Sequence, residues 1–459
     1  MPDLNITFCG VKAPNPFWLA SGPPTNSEYQ VRRAFDAGWG GAVWKTIGHE
    51  PIVNVSSRYG AVDYDGRKMM GLNNIELITD RTLEINLQEI ARVKKAYPGH
   101  ALFVSLMVES TREAWYDITK KTQDAGADGI ELNFGCPHGM SERGQGSAVG
   151  QVPEYACMIS EWVKQVATVP VMVKLTPNIG DIVPIGRAAV QGGADALSLI
   201  NTINSIVGVD LNTFAPKPAV RGLGSHGGYC GPAVKPIALH MVSALAGDAQ
   251  IRVPISGIGG IQAWQDAVEF LLLGAGSLQV CTAVMHFGFR IVEQLISGLE
   301  NWMAEKGFSA LGDFVGKSVP RIKKWSELDL NYKIVAEIDQ QKCIHCGLCY
   351  IACEDGAHQS IRWERVPVGK FMEENANAAQ VVRSGGVEVL HGAGGDTINV
   401  FTIKQDMCVG CNLCSLVCPV ESCIGMKEVD TGKPPMTWSD YQALLAAGKV
   451  EKIEPPTHV

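Results

Sequence analysis

Apolar residues along this chain come in short dense runs, and mixed stretches of helical length separate them. The runs cover residues 17–21, 41–46, 101–107, 128–134, 170–175, 194–201, 252–257 and 277–282. Apolar runs of this length predict strands buried on both faces. Between them the apolar positions thin to one face. Leu83, Leu87 and Ile90 fall at helical spacing, and Pro98-Gly99 stops that helix. Ala37-Gly38-Trp39-Gly40, Ala125-Gly126-Ala127-Asp128, Gly192-Gly193-Ala194-Asp195 and Gly274-Ala275-Gly276-Ser277 share one turn pattern. A turn that recurs between alternating elements predicts a repeated βα unit. Eight such units in about 300 residues predict a (β/α)8 TIM barrel over residues 1–305. A doubly wound open sheet is the rival topology.

The fourth run leads into Glu131-Leu132-Asn133-Phe134-Gly135-Cys136-Pro137-His138-Gly139. Its thiol lies just past the strand's C-terminal end, between a glycine and a proline. In parallel α/β proteins that end of the strand carries the chemistry. A lone cysteine is ordinarily buried structure; Asn133 and the other polar strand ends favour a functional one. In a barrel, Ala20-Ser21, Lys45-Thr46, Asn133, Lys174, Asn201-Thr202, Gly257 and Cys281-Thr282 meet at one mouth. Lys45 and Lys174 end apolar strands. They either snorkel to the surface or face an electron-rich ring that becomes anionic on reduction.

Ser256-Gly257-Ile258-Gly259-Gly260-Ile261 opens a helix and has the form of a barrel phosphate seat. Gly222-Leu223-Gly224-Ser225-His226-Gly227 matches GxGxxG but lacks a flanking strand and helix, so we expect a loop. Gly71-Leu72-Asn73-Asn74-Ile75-Glu76 precedes a helix expected to start near Thr79 or Asp80. It is either a turn with a first-turn acid or a set of amides and a carboxylate that recognises a polar heterocycle.

Length and charge narrow the picture. A chain of 459 residues predicts two domains. A net charge of −8 argues against nucleic-acid and anionic-membrane partners. Met1-Pro2-Asp3-Leu4 is no signal peptide. The apolar stretch 270–284 is interrupted by Gly274, Gly276, Ser277 and Gln279, so no membrane span is expected.

Of 14 cysteines, eight form two compact runs. Cys343, Cys346, Cys349 and Cys353 repeat the C-x2-C-x2-C-x3-C spacing of Cys408, Cys411, Cys414 and Cys418. That spacing predicts a bacterial-ferredoxin-like domain with two 4Fe-4S clusters, in which each run's fourth cysteine serves the other cluster. One set is then Cys343, Cys346, Cys349 and Cys418; the other is Cys408, Cys411, Cys414 and Cys353. Tetrahedral zinc is the alternative. Cys423 is left over, and His345 is off the ligand spacing. Reduced thiols predict a cytoplasmic protein.

We divide the rest into a connector, 306–333, a small α+β ferredoxin-like domain, 334–427, and a C-terminal helix and tail, 428–459. The ferredoxin-like domain carries an insertion at about 361–405, with turns at Gly385-Gly386 and 392–395, that suits a lid or partner surface. Cys353 is followed by Glu354 rather than proline. The last helix spans 438–447 and ends at Gly448.

The barrel motifs resemble the FMN barrels of the dihydroorotate dehydrogenase class. The whole chain is similar to dihydropyrimidine dehydrogenases of the bacterial type. Asn74-Ile75-Glu76, residues 131–139, Lys174-Leu175-Thr176-Pro177-Asn178 and the two cysteine runs carry the resemblance. It implies reduction of uracil and thymine to their 5,6-dihydro forms. Cys136 resembles the general acid that protonates C5. Asn74, Asn133, Asn201 and Thr202 resemble residues that read the substrate's amides, with Glu76 beside the flavin. Ser21, Lys45, Thr46, Lys174, Gly231, Gly259, Gly260, Cys281 and Thr282 resemble the FMN seat. Gly135 stands where some relatives have serine. The resemblance also implies that NAD(H) and FAD reside on an NADH-oxidising iron–sulfur partner subunit, in a hetero-oligomer such as a heterotetramer. A dihydroorotate dehydrogenase is the enzyme rival. A pure electron carrier with a scaffold barrel is the rival of another class.

Overall fold

The computed structural model describes residues 2–64, 67–356, 358–375 and 397–452. The chain divides into two compact units, Met1–Ile322 and Lys323–Val459.

The first unit holds eight parallel strands: β1 (Phe17–Leu19), β2 (Gly41–Ile47), β3 (Ala101–Leu106), β4 (Gly129–Asn133), β5 (Val171–Lys174), β6 (Ala196–Leu199), β7 (Ile255–Ile258) and β8 (Ala275–Val280). Each pairs with its successor, and β8 pairs with β1, so the sheet closes into a barrel and not a doubly wound sheet. The apolar runs are continuous because both strand faces are buried. Ile130, Leu132, Val173 and Leu197 join the large core cluster. A separate cluster gathers Trp18, Val43, Phe103 and Met172 with Phe8 and Ala13 of the antiparallel pair Ile6–Phe8 and Val11–Ala13. Phe8 meets Trp18 edge-on at 5.5 Å, and Trp18 lies 5.3 Å from Phe103. Each such ring, fully buried, contributes roughly 1.5–3 kcal/mol of transfer free energy. These side chains come from the N-terminal ends of the strands. Open space is left to the other end.

The expected strand limits shift by one to three residues, two of them with a local cause. The seventh strand starts at Ile255 rather than 252, because Pro254 has no N–H to give a ladder. The eighth ends at Val280, and Thr282 opens the short helix Thr282–Phe287. Segments after β2 and β6 form a second sheet, antiparallel, in the order Ile203–Ser205, Gly227–Cys230, Arg67–Asn74, Tyr59–Tyr64. Gly71 to Asn74 are therefore strand and not turn. The next helix begins at Leu83, where the Thr82 hydroxyl accepts from the Ile85 N–H, and not near residue 79. Leu311 and Phe314, in the expected connector, pack into the barrel's core.

In the second unit Lys333–Ile338 pairs antiparallel with Ile424–Val429. Ile361–Pro367 pairs with Thr397–Ile403, so the insertion starts and ends as a hairpin. The turns expected at Gly385-Gly386 and 392–395 lie outside the described residues. Ile361, Phe401 and Ile424 surround Cys349, Cys353 and Cys414. The last helix is Trp438–Ala446, capped by Thr437. No helix among the described residues is long and apolar enough to cross a membrane.

Candidate active site

A cleft opens beyond the C-terminal ends of the barrel strands. The barrel residues expected at the mouth line it, except Gly257, which backs onto Phe270 and Ala275. Ser21, Lys45, Thr46, Asn133 and Lys174 come from strand ends, and Asn74 and Glu76 from the overlying sheet. Asn201 and Thr202 follow β6. Gly231, Gly259, Gly260, Cys281 and Thr282 line it from the last three units.

Both lysines are buried and paired. Lys45 Nζ donates to Glu76, which also accepts from the Tyr59 hydroxyl and lies 3.5 Å from Arg58 Nη1. Burial, then that carboxylate, raises the Tyr59 phenol above its ordinary pKa. Lys174 Nζ lies 3.4 Å from Ser21 Oγ and 3.8 Å from Glu131 Oε1. A buried cation without a partner is costly; these have carboxylates.

The amides form one array. Asn133 Nδ2 donates to Thr46 Oγ1 at 3.0 Å, and Asn133 Oδ1 accepts from Asn201 Nδ2 at 3.0 Å and Gly135 N at 3.2 Å. Asn201 Oδ1 accepts from Thr202 N at 2.8 Å. Backbone donors thus fix which way each amide faces. Asn74 Nδ2 donates to Gly228 O at 3.2 Å. Neighbouring Asn73 is not in the cleft; its Nδ2 donates within the overlying sheet to Ser205 Oγ at 2.7 Å.

The Cys136 thiol is buried against Ile78, Met107 and Met140 and donates to His138 O at 3.5 Å. Burial pushes it up to about 11, so it is a protonated acid at neutral pH. Burial likewise pushes Cys230 to about 11 and Cys281 to about 12.

The Gly259-Gly260 turn has φ of 133° and 80°, and Gly231 has 94°. A Cβ on Gly260 would lie 2.8 Å from Lys235 Cβ and 3.0 Å from Gly231 O. The close backbone cradle this leaves suits a phosphate group. The GxGxxG match falls in an exposed loop that enters the strand Gly227–Cys230, with no helix directly after it. Glu131, Tyr59 and His138 also belong to the site's wall or floor; none of them was given a role from the sequence, although Glu131 and His138 lie in the quoted 131–139 stretch. Tyr59 and His138 line the cleft, and Glu131 lies beneath Lys174.

In the second unit the thiols ring two cavities. One is lined by Cys343, Cys346, Cys349 and Cys418, with Cys423 beside them. The other is lined by Cys353, Cys408, Cys411 and Cys414. His345 lines neither; its Nδ1 donates to Asn399 O at 2.7 Å. Among the described residues no three His, Cys, Asp or Glu side chains converge as ligands of a single ion. Thiols spread around a volume fit an extended cluster better than a zinc ion, which needs ligands about 2.3 Å from one point.

Residues 3–303 match the family described as dihydroorotate dehydrogenase. The chain belongs to that family. Residues 342–422 match the 4Fe-4S dicluster domain. Together the matches support a flavin in this dihydroorotate dehydrogenase family barrel and iron–sulfur in the second unit. The chain is 45% identical over 362 residues to the NAD-dependent dihydropyrimidine dehydrogenase subunit PreA of Escherichia coli, covering 79% of this chain and 88% of that one. It is 39% identical over 358 residues to the chloroplastic dihydropyrimidine dehydrogenase (NADP(+)) of Arabidopsis thaliana, covering 76% and 84%. A third family member, the catalytic subunit of dihydroorotate dehydrogenase B (NAD(+)) of Pyrococcus abyssi, is 38% identical over 319 residues, 68% of this chain and 98% of its own. That alignment nearly exhausts the archaeal subunit at about the length of the barrel.

Proposed function

We propose that this protein is the catalytic subunit of a dihydropyrimidine dehydrogenase, reducing uracil and thymine to 5,6-dihydropyrimidines. The observation that carries this reading is the buried, protonated Cys136 thiol in the same cleft as the Asn133–Asn201 amide array. The relatives named dihydropyrimidine dehydrogenase support the substrate class.

The residues present fit FMN. Gly231, Gly259 and Gly260 would cradle its phosphate, with Cys281 and Thr282 beside them. Ser21, Lys45, Thr46 and Lys174 would face its ring. Bound there, FMN supplies hydride chemistry and exchanges electrons singly or in pairs. The chain's own residues supply the rest. Asn74, Asn133, Asn201 and Thr202 hydrogen-bond the pyrimidine's amide edges and hold its 5,6 bond in place. Glu76 keeps Lys45 oriented. As negative charge develops at C5 and the C4 oxygen, amide donors stabilise it, and Cys136 Sγ gives its proton to C5.

Two 4Fe-4S clusters, one on Cys343, Cys346, Cys349 and Cys418 and one on Cys353, Cys408, Cys411 and Cys414, would carry electrons one at a time. Their source in this reading is NADH, oxidised on a partner subunit that holds FAD and its own iron–sulfur centres, in a hetero-oligomer and in the reducing cytoplasm. The setting of Gly222 to His226 in an exposed loop that runs straight into a strand supports a nicotinamide site elsewhere.

The test is anaerobic turnover of the purified holoprotein with a reduced viologen dye and uracil, thymine or orotate. Loss of the 5,6-double-bond absorbance and formation of dihydrouracil and dihydrothymine are expected. Turnover of orotate with uracil inert would transfer the protein to the dihydroorotate reading.

A further inference from the structure

Glu131 is a buried acid to which the reaction above gives no task. On β4, Ile130 and Leu132 face the outer core, while Glu131 and Asn133 alternate inward. Its side chain is 0% exposed. Ser21 Oγ donates to Oε1 at 3.2 Å and Ser198 Oγ donates to Oε2 at 3.1 Å. Lys174 Nζ lies 3.8 Å from Oε1, and 3.4 Å from the same Ser21 Oγ. The strand register explains the set: Lys174 stands opposite Asn133 on one side and Ser198 on the other. Glu131 is therefore one layer below Lys174, and Lys174 alone of the pair reaches the cleft wall.

A fully buried carboxylate is costly, and apolar packing would have filled this layer at no such cost. What it does here is electrostatic. Opposite charges within about 4 Å offset one another strongly where water is excluded. The Lys174 ammonium is held from below by an acid and a shared hydroxyl, with its remaining face toward the cleft.

We propose that Glu131 is a positioning residue that fixes Lys174 against the flavin and, by partly offsetting its charge, sets the flavin's reduction potential. This rests on the flavin reading above. Reduction adds negative charge to the ring, so a bare cation favours the reduced state and a compensated one favours it less. The shared Ser21 hydroxyl couples the acid to the cation through one hydrogen-bond path.

The experiment is anaerobic spectroelectrochemical titration of the flavin in wild-type, Glu131→Gln and Glu131→Asp holoprotein. Glutamine keeps the shape and removes the charge, so the midpoint should shift to a more positive potential. Aspartate keeps the charge, so its shift should be the smaller. A glutamine variant with full flavin content and an unmoved or more negative midpoint would overturn the inference. Where the glutamine variant does not fold, reduced-minus-oxidised infrared difference spectra of wild type and Glu131→Asp ask the same question. A carboxylate band that responds to flavin reduction and changes frequency in the aspartate variant supports the inference; spectra with no carboxylate response overturn it. Wild-type protein that carries no flavin would sink the underlying reading as well, a result distinct from intact flavin with an unmoved potential.

Discussion

Gly135, next to the Cys136 thiol, has no room for a side chain. A Cβ there would lie 2.4 Å from Asn201 Cβ and 2.6 Å from its Nδ2. Serine at this position would therefore displace an amide of the array and not add a hydrogen bond to it. We expect Gly135→Ser to raise the uracil KM about tenfold, the scale of one lost hydrogen bond. Initial rates against uracil concentration measure it, and a lowered KM would show that Asn201 yields. The thiol beside it sets a pH dependence. Cys136 donates only while protonated, and burial pushes its pKa up to about 11. Oxidation of prereduced holoprotein by uracil should thus be flat between about pH 6 and 9 and fall only above. A fall centred near ~8.5 would mean a thiol in contact with water. Cys136, Asn133, Lys45 and Lys174 were legible in the sequence because each is a polar residue where an apolar run stops. Glu131 is polar inside such a run. Its only signal was the two-residue step to Asn133, which places both on one strand face. Tyr59 had no signal, because it reaches Glu76 by pairing across a sheet that local periodicity does not encode.

The barrel strands were legible as elements because burial on both faces makes them continuous apolar runs. The sheet above them was not. Arg67–Asn74 pairs with Tyr59–Tyr64, and its Gly71-to-Asn74 end, which read as a turn, also pairs with Gly227–Cys230 far away in sequence. The Gly259-Gly260 turn was legible, since two adjacent glycines after a strand have few other uses. It also carries the sharpest test of an element. Alanine at 260 would need a left-handed φ of 80° and a Cβ 2.8 Å from Lys235 Cβ, a cost of about 1–3 kcal/mol. Gly260→Ala should weaken flavin retention by about tenfold or more, with iron content unchanged. Released-flavin fluorescence and iron assay measure the two separately. Stoichiometric flavin in this variant would place the phosphate elsewhere.

At the scale of the whole molecule, spacing alone predicted the crossed ligand sets, and the two cavities gather the same cysteines. The reason is geometric: a C-x2-C-x2-C loop can offer three thiols to one site, and the fourth must come from a distant turn. Cys408→Ser should lower iron from about eight to about four atoms per chain, because serine is a poor ligand for such a cluster. Turnover driven through the partner should collapse, while prereduced flavin should still be oxidised by uracil. Partner-driven rates that survive with one cluster would show that the two do not act in series. The insertion was legible as extra length, but its hairpin was not, since Ile361–Pro367 and Thr397–Ile403 find each other across residues with no shared pattern.

The most direct test of the account is single-turnover oxidation of prereduced holoprotein by saturating uracil, followed anaerobically at the flavin band in wild type and Cys136→Ala. The amide array and the glycine turn do not include the thiol, so uracil binding and flavin content should stay near wild type. Proton delivery to C5 should fail, slowing the reaction by about 10²–10⁴-fold, the usual worth of a general acid. A Cys136→Ala rate within a few-fold of wild type would contradict the account, because some other group would then be supplying the proton.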